Sequence, residues 1–549
     1  MGTFHKTGCV LCPQNCGLEI EVENNRMVKV RADKSNAKSE GYVCRKGMNV
    51  AYHQHNADRL QYPLKKAGGK FERISWDQAT DEIASRLKSI VGTYGPRSFA
   101  YMGGSMQGCH FEAAFGIRLL RGLGSQYHYS ALGQEFAGAF WVIGHTYGRQ
   151  YLHDRPDVDN ADLLFTLGWN GMQSHQMPQA PLMLRRFSKD KDKLLIVVDP
   201  RKTETAQLAD IHLPIRPGTD SLLIKAMISI ILKEGWENKN YLETHTNGFD
   251  RVRSYFEDFD ARRAIQVCEL DFDEVYKVTR LYATRKSALR NDLGIFMGRH
   301  GALNSYLIVI LQSICGRLCT PGGNVIPGHM MPIGSHSDEN NPKTWRTVAT
   351  DSFPVCGVFP PNVMPEEIMT DHPERLRAVL VAGANPLRSY ADTTAYENAF
   401  GQLDLLVTAE IAMTETAALS HYILPSRSGY ESWDSTFFPF TYPGVHFQMR
   451  RPIVEPEGEQ LELGEIHLRI ADKLGLIPQI PDYLYQAAME DRTTFAQALM
   501  KYIAAEPTAF KAMPFILGKT LGKALGSVHL AALWGMLQAA PKSFYENAA

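Results

Sequence analysis

The feature that most constrains this 549-residue chain is an internal repeat. Residues 162–174 read DLLFTLGWNGMQS and residues 377–389 read RAVLVAGANPLRS; in both, an apolar strand runs into Gly-x-Asn with a serine shortly after. Downstream, 195–214 (LIVVDPRKTETAQLADIHLP) matches 405–425 (LLVTAEIAMTETAALSHYILP), with Thr-Glu-Thr-Ala and Leu-Pro held at one constant offset. Short continuous apolar strands alternating with small or polar turns and helical stretches read as parallel α/β units, because a strand covered on both faces has no polar face to alternate. A shared tetrapeptide and a registered Leu-Pro argue against chance likeness. Ligands of such sheets sit beyond the carboxyl ends of the strands, so two related units imply two nucleotide moieties.

The second constraint is a set of four cysteines, Cys9, Cys12 and Cys16 in one loop and Cys44 on a returning segment. A [4Fe–4S] cube needs four thiolates converging on a small volume, and Cys-x2-Cys-x3-Cys followed by a distant fourth supplies them. The rival is structural zinc, which more often pairs two Cys-x-x-Cys turns; the second pair is missing here. Unligated core cysteines are the remaining alternative. A cluster points to electron transfer.

Charge excludes some classes of partner. With 58 basic against 59 acidic residues and a pI near 7.0, no long nucleic-acid footprint or anionic membrane surface is expected. Small molecules and proteins are the expected partners. The other five cysteines, Cys109, Cys268, Cys315, Cys319 and Cys356, are scattered, which fits a reducing compartment rather than a disulfide framework. Met1–Lys6 lead into the cysteine loop without an apolar run or twin arginines, so no export signal is read and a cytoplasmic location is expected. The apolar stretch 307–314 is too short to span a bilayer.

The expected organisation is α/β and multidomain. A small [4Fe–4S] domain occupies 1–60, a first part of α/β domain A 61–150, α/β domain B with the first dinucleotide 151–325, the second part of domain A with the second dinucleotide 326–477, and a helical tail 478–549. The tail ends without a closing strand, which is read as a fragment or as a remainder that is absent or supplied separately.

The cysteine loop, the duplicated units and the run Arg216-Pro-Gly-Thr-Asp220 together resemble the molybdopterin oxidoreductase family of dimethyl-sulfoxide reductases and formate dehydrogenases, over roughly residues 5 to 475. The resemblance implies two Rossmann-like domains behind the cluster domain. It also implies molybdenum or tungsten held by two molybdopterin guanine dinucleotides, with the cluster beside one pterin. Lys46, two residues after Cys44, matches the family lysine between cluster and pterin, where a cation favours the reduced cluster. Gly168 and Asn170 match a loop approaching one dinucleotide; Gly383, Asn385 and Pro386 match the other. Asp199, followed by Arg201, stands where an acid takes a nucleotide hydroxyl or guanine edge. Asp220, two residues after Gly218, resembles the family aspartate that accepts from guanine; without the family it would be a helix N-cap. Arg299 and His300, and the turn 320–324, fall where family loops approach the pterins and the substrate, which makes Arg299 and His300 catalytic candidates.

Two departures stand out. The loop that carries a Cys, selenocysteine, Ser or Asp ligand in most relatives reads YHYSALGQEF here (127–136), with no cysteine. Glu135 is the candidate ligand or acid, as a hard oxygen donor; Ser130 and a metal without a side-chain ligand are the alternatives. Usual formate chemistry is therefore not expected. The second departure is the end, since relatives continue into a β-rich domain and nothing after Pro478 reads as one. The reading is a two-electron oxidoreductase of a small substrate whose cluster, near the surface, passes electrons to a redox partner protein. Its rivals are a non-redox hydratase on the same scaffold and a metal-free electron-wiring subunit.

Overall fold

The computed structural model describes residues 2–104, 108–327, 334–436, 444 and 446–540. They divide into two compact units, one of Met1–Gln134, Ser337–Phe437 and Phe447–Ala549, the other of Glu135–His336 and Phe438–His446.

In the first unit an antiparallel three-stranded sheet, Thr3–Gly8, Gly17–Glu23 and Arg26–Ala32, carries the cysteine loop in its first connection. The main sheet has seven strands in the order Lys70–Arg73, Leu64–Ala67, Tyr422–Pro425, Leu405–Glu410, Ala378–Ala382, Phe99–Met102 and His128–Tyr129. Its last five run parallel, and the first two form an antiparallel hairpin on the edge. The helix Trp76–Tyr94 covers one face. Ser75 starts it by accepting from the Gln78 amide, and Gly95, at φ 80°, stops it. The segment after 478 is helical, from Asp482–Glu490 to Val528–Gln538. It packs into the core of this unit: Leu484, Phe495, Phe515 and Val528 share one apolar cluster with Leu380, Val407 and Phe115.

The second unit holds a four-stranded parallel sheet ordered Ile211–Leu213, Leu194–Val198, Leu163–Leu167, Ser287–Asn291. Its central strand is buried at all five positions, as an apolar run without alternation requires. Helix Asp220–Lys233 is buried around most of its circumference, and the apolar stretch 307–314 closes the buried helix Gly301–Ile314. Among the described residues no helix is long and apolar enough to cross a membrane.

The repeat is structural. Leu163 pairs with Leu194 as Ala378 pairs with Leu405, and Ile196 pairs with Ile211 as Val407 pairs with Tyr422. The Asp220 helix begins one residue away from the N-cap reading: Thr219 is the cap and Asp220 is the first helical residue, where its charge still meets the positive end of the helix.

Candidate functional site

The cysteine loop is shaped by its own backbone. Cys9 N–H donates to Cys16 O (2.8 Å) and Asn15 N–H to Cys12 O (3.0 Å), while the Asn15 carboxamide donates to Cys9 O (2.9 Å) from a backbone at φ 41°. The four thiols are free of disulfides and near enough to act on one another. Burial pushes Cys9 and Cys16 up to about 12 and raises Cys12, with neighbouring cysteines adding to it. They are thus protonated until a metal takes the proton's place. Among the described residues no three His, Cys, Asp or Glu side chains close around a single ion.

The surroundings fit an iron–sulfur cube. Gly47 leaves room beside Cys9, since a Cβ there would come within 3.5 Å of Cys9 Sγ and 2.6 Å of Val43. Gln14, inside the cysteine loop, is buried with neither end of its carboxamide partnered, and Arg450 Nη1 is likewise buried and unpartnered. Cluster sulfurs are the acceptors such donors lack. Lys46 is exposed on the turn after Cys44 and acts on Cys12. Lys38, which the sequence did not single out, also faces the thiols: burial pushes it down to about 8 against the pull of Cys16 and Cys12, and it donates to Pro13 O.

Each Gly-x-Asn loop is held by the same set of bonds. Gly168, at φ 58°, donates to Val198 O, and Gly383, at φ 55°, to Ala409 O. Asn170 Oδ1 accepts from the Thr205 hydroxyl (2.8 Å) and amide, and its Nδ2 donates to Glu204 (2.7 Å). Asn385 repeats this with the Thr416 hydroxyl (2.7 Å) and amide and with Glu415 (2.8 Å). The tetrapeptide thus clamps the loop. Both asparagine carboxamides are engaged within the chain, which leaves loop backbone and small residues as the ligand-facing surface. Pro386 opens the short helix after Asn385. At Gly168 a Cβ would meet Gly294 at 3.0–3.1 Å, so two backbones pass there at the carboxyl ends of their strands.

In the second unit Asp199 ends its strand and accepts from the Arg201 amide (3.0 Å), while the exposed Arg201 side chain pairs with Glu204 (3.6 Å). Asp220 is half-buried, and burial first and then Asp199 raise its carboxyl. Gly218, at φ 82°, has open space where a side chain would be. Two acids close enough for one to raise the other, near an open glycine, suit a donor-rich group such as a guanine edge.

The first unit treats the matching positions differently. Glu410 stands where Asp199 does, but burial pushes it up to about 7 against the Ile411 amide and Arg59. Glu431 stands where Asp220 does. It is buried and takes Arg59 (2.7 Å), the Gln54 carboxamide (2.8 Å) and the Ser428 amide (2.8 Å). The repeat already showed an acidic residue near the end of this strand in each copy; Glu431 was missed, and the constant offset between the copies, carried a few residues past Leu-Pro, would have found it.

The loop 127–136 is split in role. Gln134 is tied to the second Gly-x-Asn loop, donating to Ser389 O and accepting from Ala391 N–H. At Gly133 a Cβ would strike Phe359 O at 2.6 Å, and Ser130 is buried. Glu135 ends the short helix Leu132–Glu135 half-buried, its carboxyl raised by burial and then by Asp292. Asp292 pairs with the buried Arg290, which acts on the buried Arg155 of the same unit; burial and Arg290 push Arg155 down to about 9. Arg299 and His300 are exposed before the helix Gly301–Ile314. The structure does not bring them into this cluster. The 320–324 turn is held internally, with Gly322 N–H on Asp157 and the Asn324 carboxamide on Asp154 and Leu289.

Residues 59–473 match the molybdopterin oxidoreductase family model, and residues 3–56 match the model of that family's Fe4S4 domain. The chain belongs to the molybdopterin oxidoreductase family. As a member it carries a [4Fe–4S] cluster and molybdopterin and is an oxidoreductase by family. It is 27% identical over 488 residues to the probable oxidoreductase YyaE of Bacillus subtilis, covering 86% of this chain and 69% of that one. It is 27% identical over 520 residues to formate dehydrogenase H of Escherichia coli (85% and 68%) and 26% over 518 residues to acetylene hydratase of Syntrophotalea acetylenica (85% and 66%). The solved acetylene hydratase from Pelobacter acetylenicus shares the fold, with a TM-score of 0.73 at 24% identity over 86% of this chain and 69% of that one.

Proposed function

We propose that this molybdopterin oxidoreductase carries two guanine dinucleotides around one molybdenum or tungsten, catalyses a two-electron reaction of a small substrate, and exchanges electrons through its cluster with a redox partner protein. The observation that carries the reading is the pair of Gly-x-Asn loops clamped by identical bonds at the carboxyl ends of two parallel sheets, with a cysteine quartet in the same chain. Cys9, Cys12, Cys16 and Cys44 would hold the cluster, and Lys46 would stand between it and a pterin. Gly168, Gly218, Asp199, Asp220 and Arg201 would receive one dinucleotide, Gly383, Asn385 and Pro386 the other. The metal would supply the centre at which the substrate gains or loses its electron pair. The formate dehydrogenase relatives favour a small substrate and partner subunits.

Metal and nucleotide analysis of the anaerobically purified chain tests this. Four irons, one molybdenum or tungsten and two guanine dinucleotides per chain are expected; four irons with neither heavier metal would overturn it.

A second reading, hydration without net redox, draws on Glu135. Burial and then Asp292 raise its carboxyl above the ordinary carboxylate range, which is the direction an acid beside a metal-polarised water needs. Among the relatives is an acetylene hydratase. Turnover that continues with no electron donor or acceptor would favour hydration, and turnover that stops would favour redox. Glu135→Gln should keep iron and nucleotide in either case; a changed metal spectrum would indicate ligation, lost turnover with an unchanged spectrum proton transfer, and full activity would remove Glu135 from the mechanism.

A further inference from the structure

Arg450 ends the short strand Gln448–Arg450, and its side chain is sealed from solvent. Three anchors fix the guanidinium. Nε donates to Gly429 O (2.9 Å), and Nη2 donates to Gly108 O (2.6 Å) and to Asp434 Oδ2 (2.9 Å). Asp434 is fully buried too, and also takes the His110 amide (2.9 Å). The remaining nitrogen, Nη1, is buried with no partner among the described residues. An unpaired buried donor costs about 1–3 kcal/mol, more for a charged group, so its persistence points to an acceptor other than the described residues.

The neighbourhood says which. The two carbonyls that grip Arg450 belong to glycines pressed against the cysteine loop: a Cβ on Gly429 would lie 2.7 Å from Val10 Cγ1, and one on Gly108 3.4 Å from Val10 Cβ. Val10 follows Cys9, and both belong to the apolar cluster that includes Tyr430. The Arg450 charge acts on the Cys9 thiol.

We propose that Arg450 donates its Nη1 N–H to the cluster at the Cys9 corner, to the Cys9 sulfur or an adjoining sulfide, and so raises the cluster's reduction potential. The inference rests on Cys9 being a cluster ligand. Reduction adds one negative charge that spreads over the sulfurs, so an N–H aimed at one of them stabilises the reduced state more than the oxidised one. Asp434 cancels most of the guanidinium charge at a distance, and what reaches the cluster is a short-range, directed bond. Lysine at 450 keeps the charge but lacks the fork that holds Asp434, two carbonyls and the cluster at once.

The test uses the full chain, purified anaerobically after growth with arginine labelled with 15N in the guanidino group. Electron–nuclear double resonance on the reduced cluster is expected to detect a coupled 15N that is lost in Arg450→Lys and kept in Arg45→Lys, whose exposed arginine follows Cys44. Absence of the coupling from wild-type protein with four irons, or its loss in Arg45→Lys, would overturn the proposal. A wild-type chain without four irons would overturn the assignment of Cys9 instead. In redox titration, Arg450→Lys with full iron should show a reduced-to-oxidised ratio about tenfold lower at a fixed potential, which is about 59 mV for a one-electron couple. An unchanged ratio would overturn the proposal.

Discussion

The two copies of the α/β unit share a backbone, a register and a loop clamp, yet use their acids in opposite ways. In the second unit Asp199 raises the Asp220 carboxyl near an open glycine, and no cation is paired to Asp220 among the described residues. In the first unit the matching acids are engaged by the protein: Glu431 is bonded to Arg59, Gln54 and Ser428, and half-buried Glu410 feels the same arginine. The duplicated fold therefore does not imply duplicated recognition. One copy leaves its carboxylates without a cation among the described residues, and the other uses Glu431 to fasten the segment that follows the cysteines.

The largest effect should come from breaking the fastened copy. Arg59→Met leaves Glu431 buried without its cation, and a loss of about 3–5 kcal/mol in denaturant unfolding is expected, together with loss of iron. A stable, iron-loaded variant would remove the contrast between the copies. Next comes Glu410. Its carboxyl is raised by burial to about 7 in the fold, so the fold prefers the protonated form; that preference is complete below the ordinary carboxyl range and is lost as pH rises through about 7. Glu410→Gln should match the wild type near pH 4 and exceed it by up to about 3 kcal/mol at pH 8. Equal stabilities at both pH values would show Glu410 to be solvated.

Asp220→Ala tests the open copy. It should lower retained guanine dinucleotide, about tenfold after dilution, with iron unchanged and stability altered by less than about 0.5 kcal/mol, because it removes a repelled carboxylate rather than a partnered one. Equal nucleotide content by mass spectrometry would reduce Asp220 to a helix-terminal charge. The smallest effect is a difference near zero. Asn170→Ala and Asn385→Ala each break the same clamp, so each should cost about 1–3 kcal/mol and the two should agree within about 0.5 kcal/mol. A wide gap would mean that one loop is held by something else.

Much of this was legible because it is local. Gly-x-Asn and the runs of buried strand residues are short patterns that became loops and strands where they were expected, whereas the clamp that Thr-Glu-Thr-Ala places on each asparagine emerged only from the structure. The helical pattern after 478 was equally plain. Its destination was not, because Phe495 and Phe515 meet the first unit's core only through tertiary packing. The partners of Glu431 escaped for the same reason: Arg59 and Gln54 lie some 370 residues earlier, and no periodicity connects them. Lys46 drew notice by standing two residues after Cys44, where it matches the family lysine, while Lys38 reaches the thiols through the fold. Arg299 and His300 were singled out by their place in a loop matching the family, and they stand exposed just before the helix Gly301–Ile314.

The seat of Cys9 has a consequence in time. Its walls include Gly429 and Arg450, more than 400 residues further along the chain. At synthesis rates of about 5–20 residues per second, the cysteine loop leaves the ribosome on the order of tens of seconds before the wall it rests on exists. During that wait its thiols lack both burial and the anchored guanidinium. A cell making this protein must either keep them reduced and empty until the chain is nearly finished, or deliver iron to a loop that is still half a site.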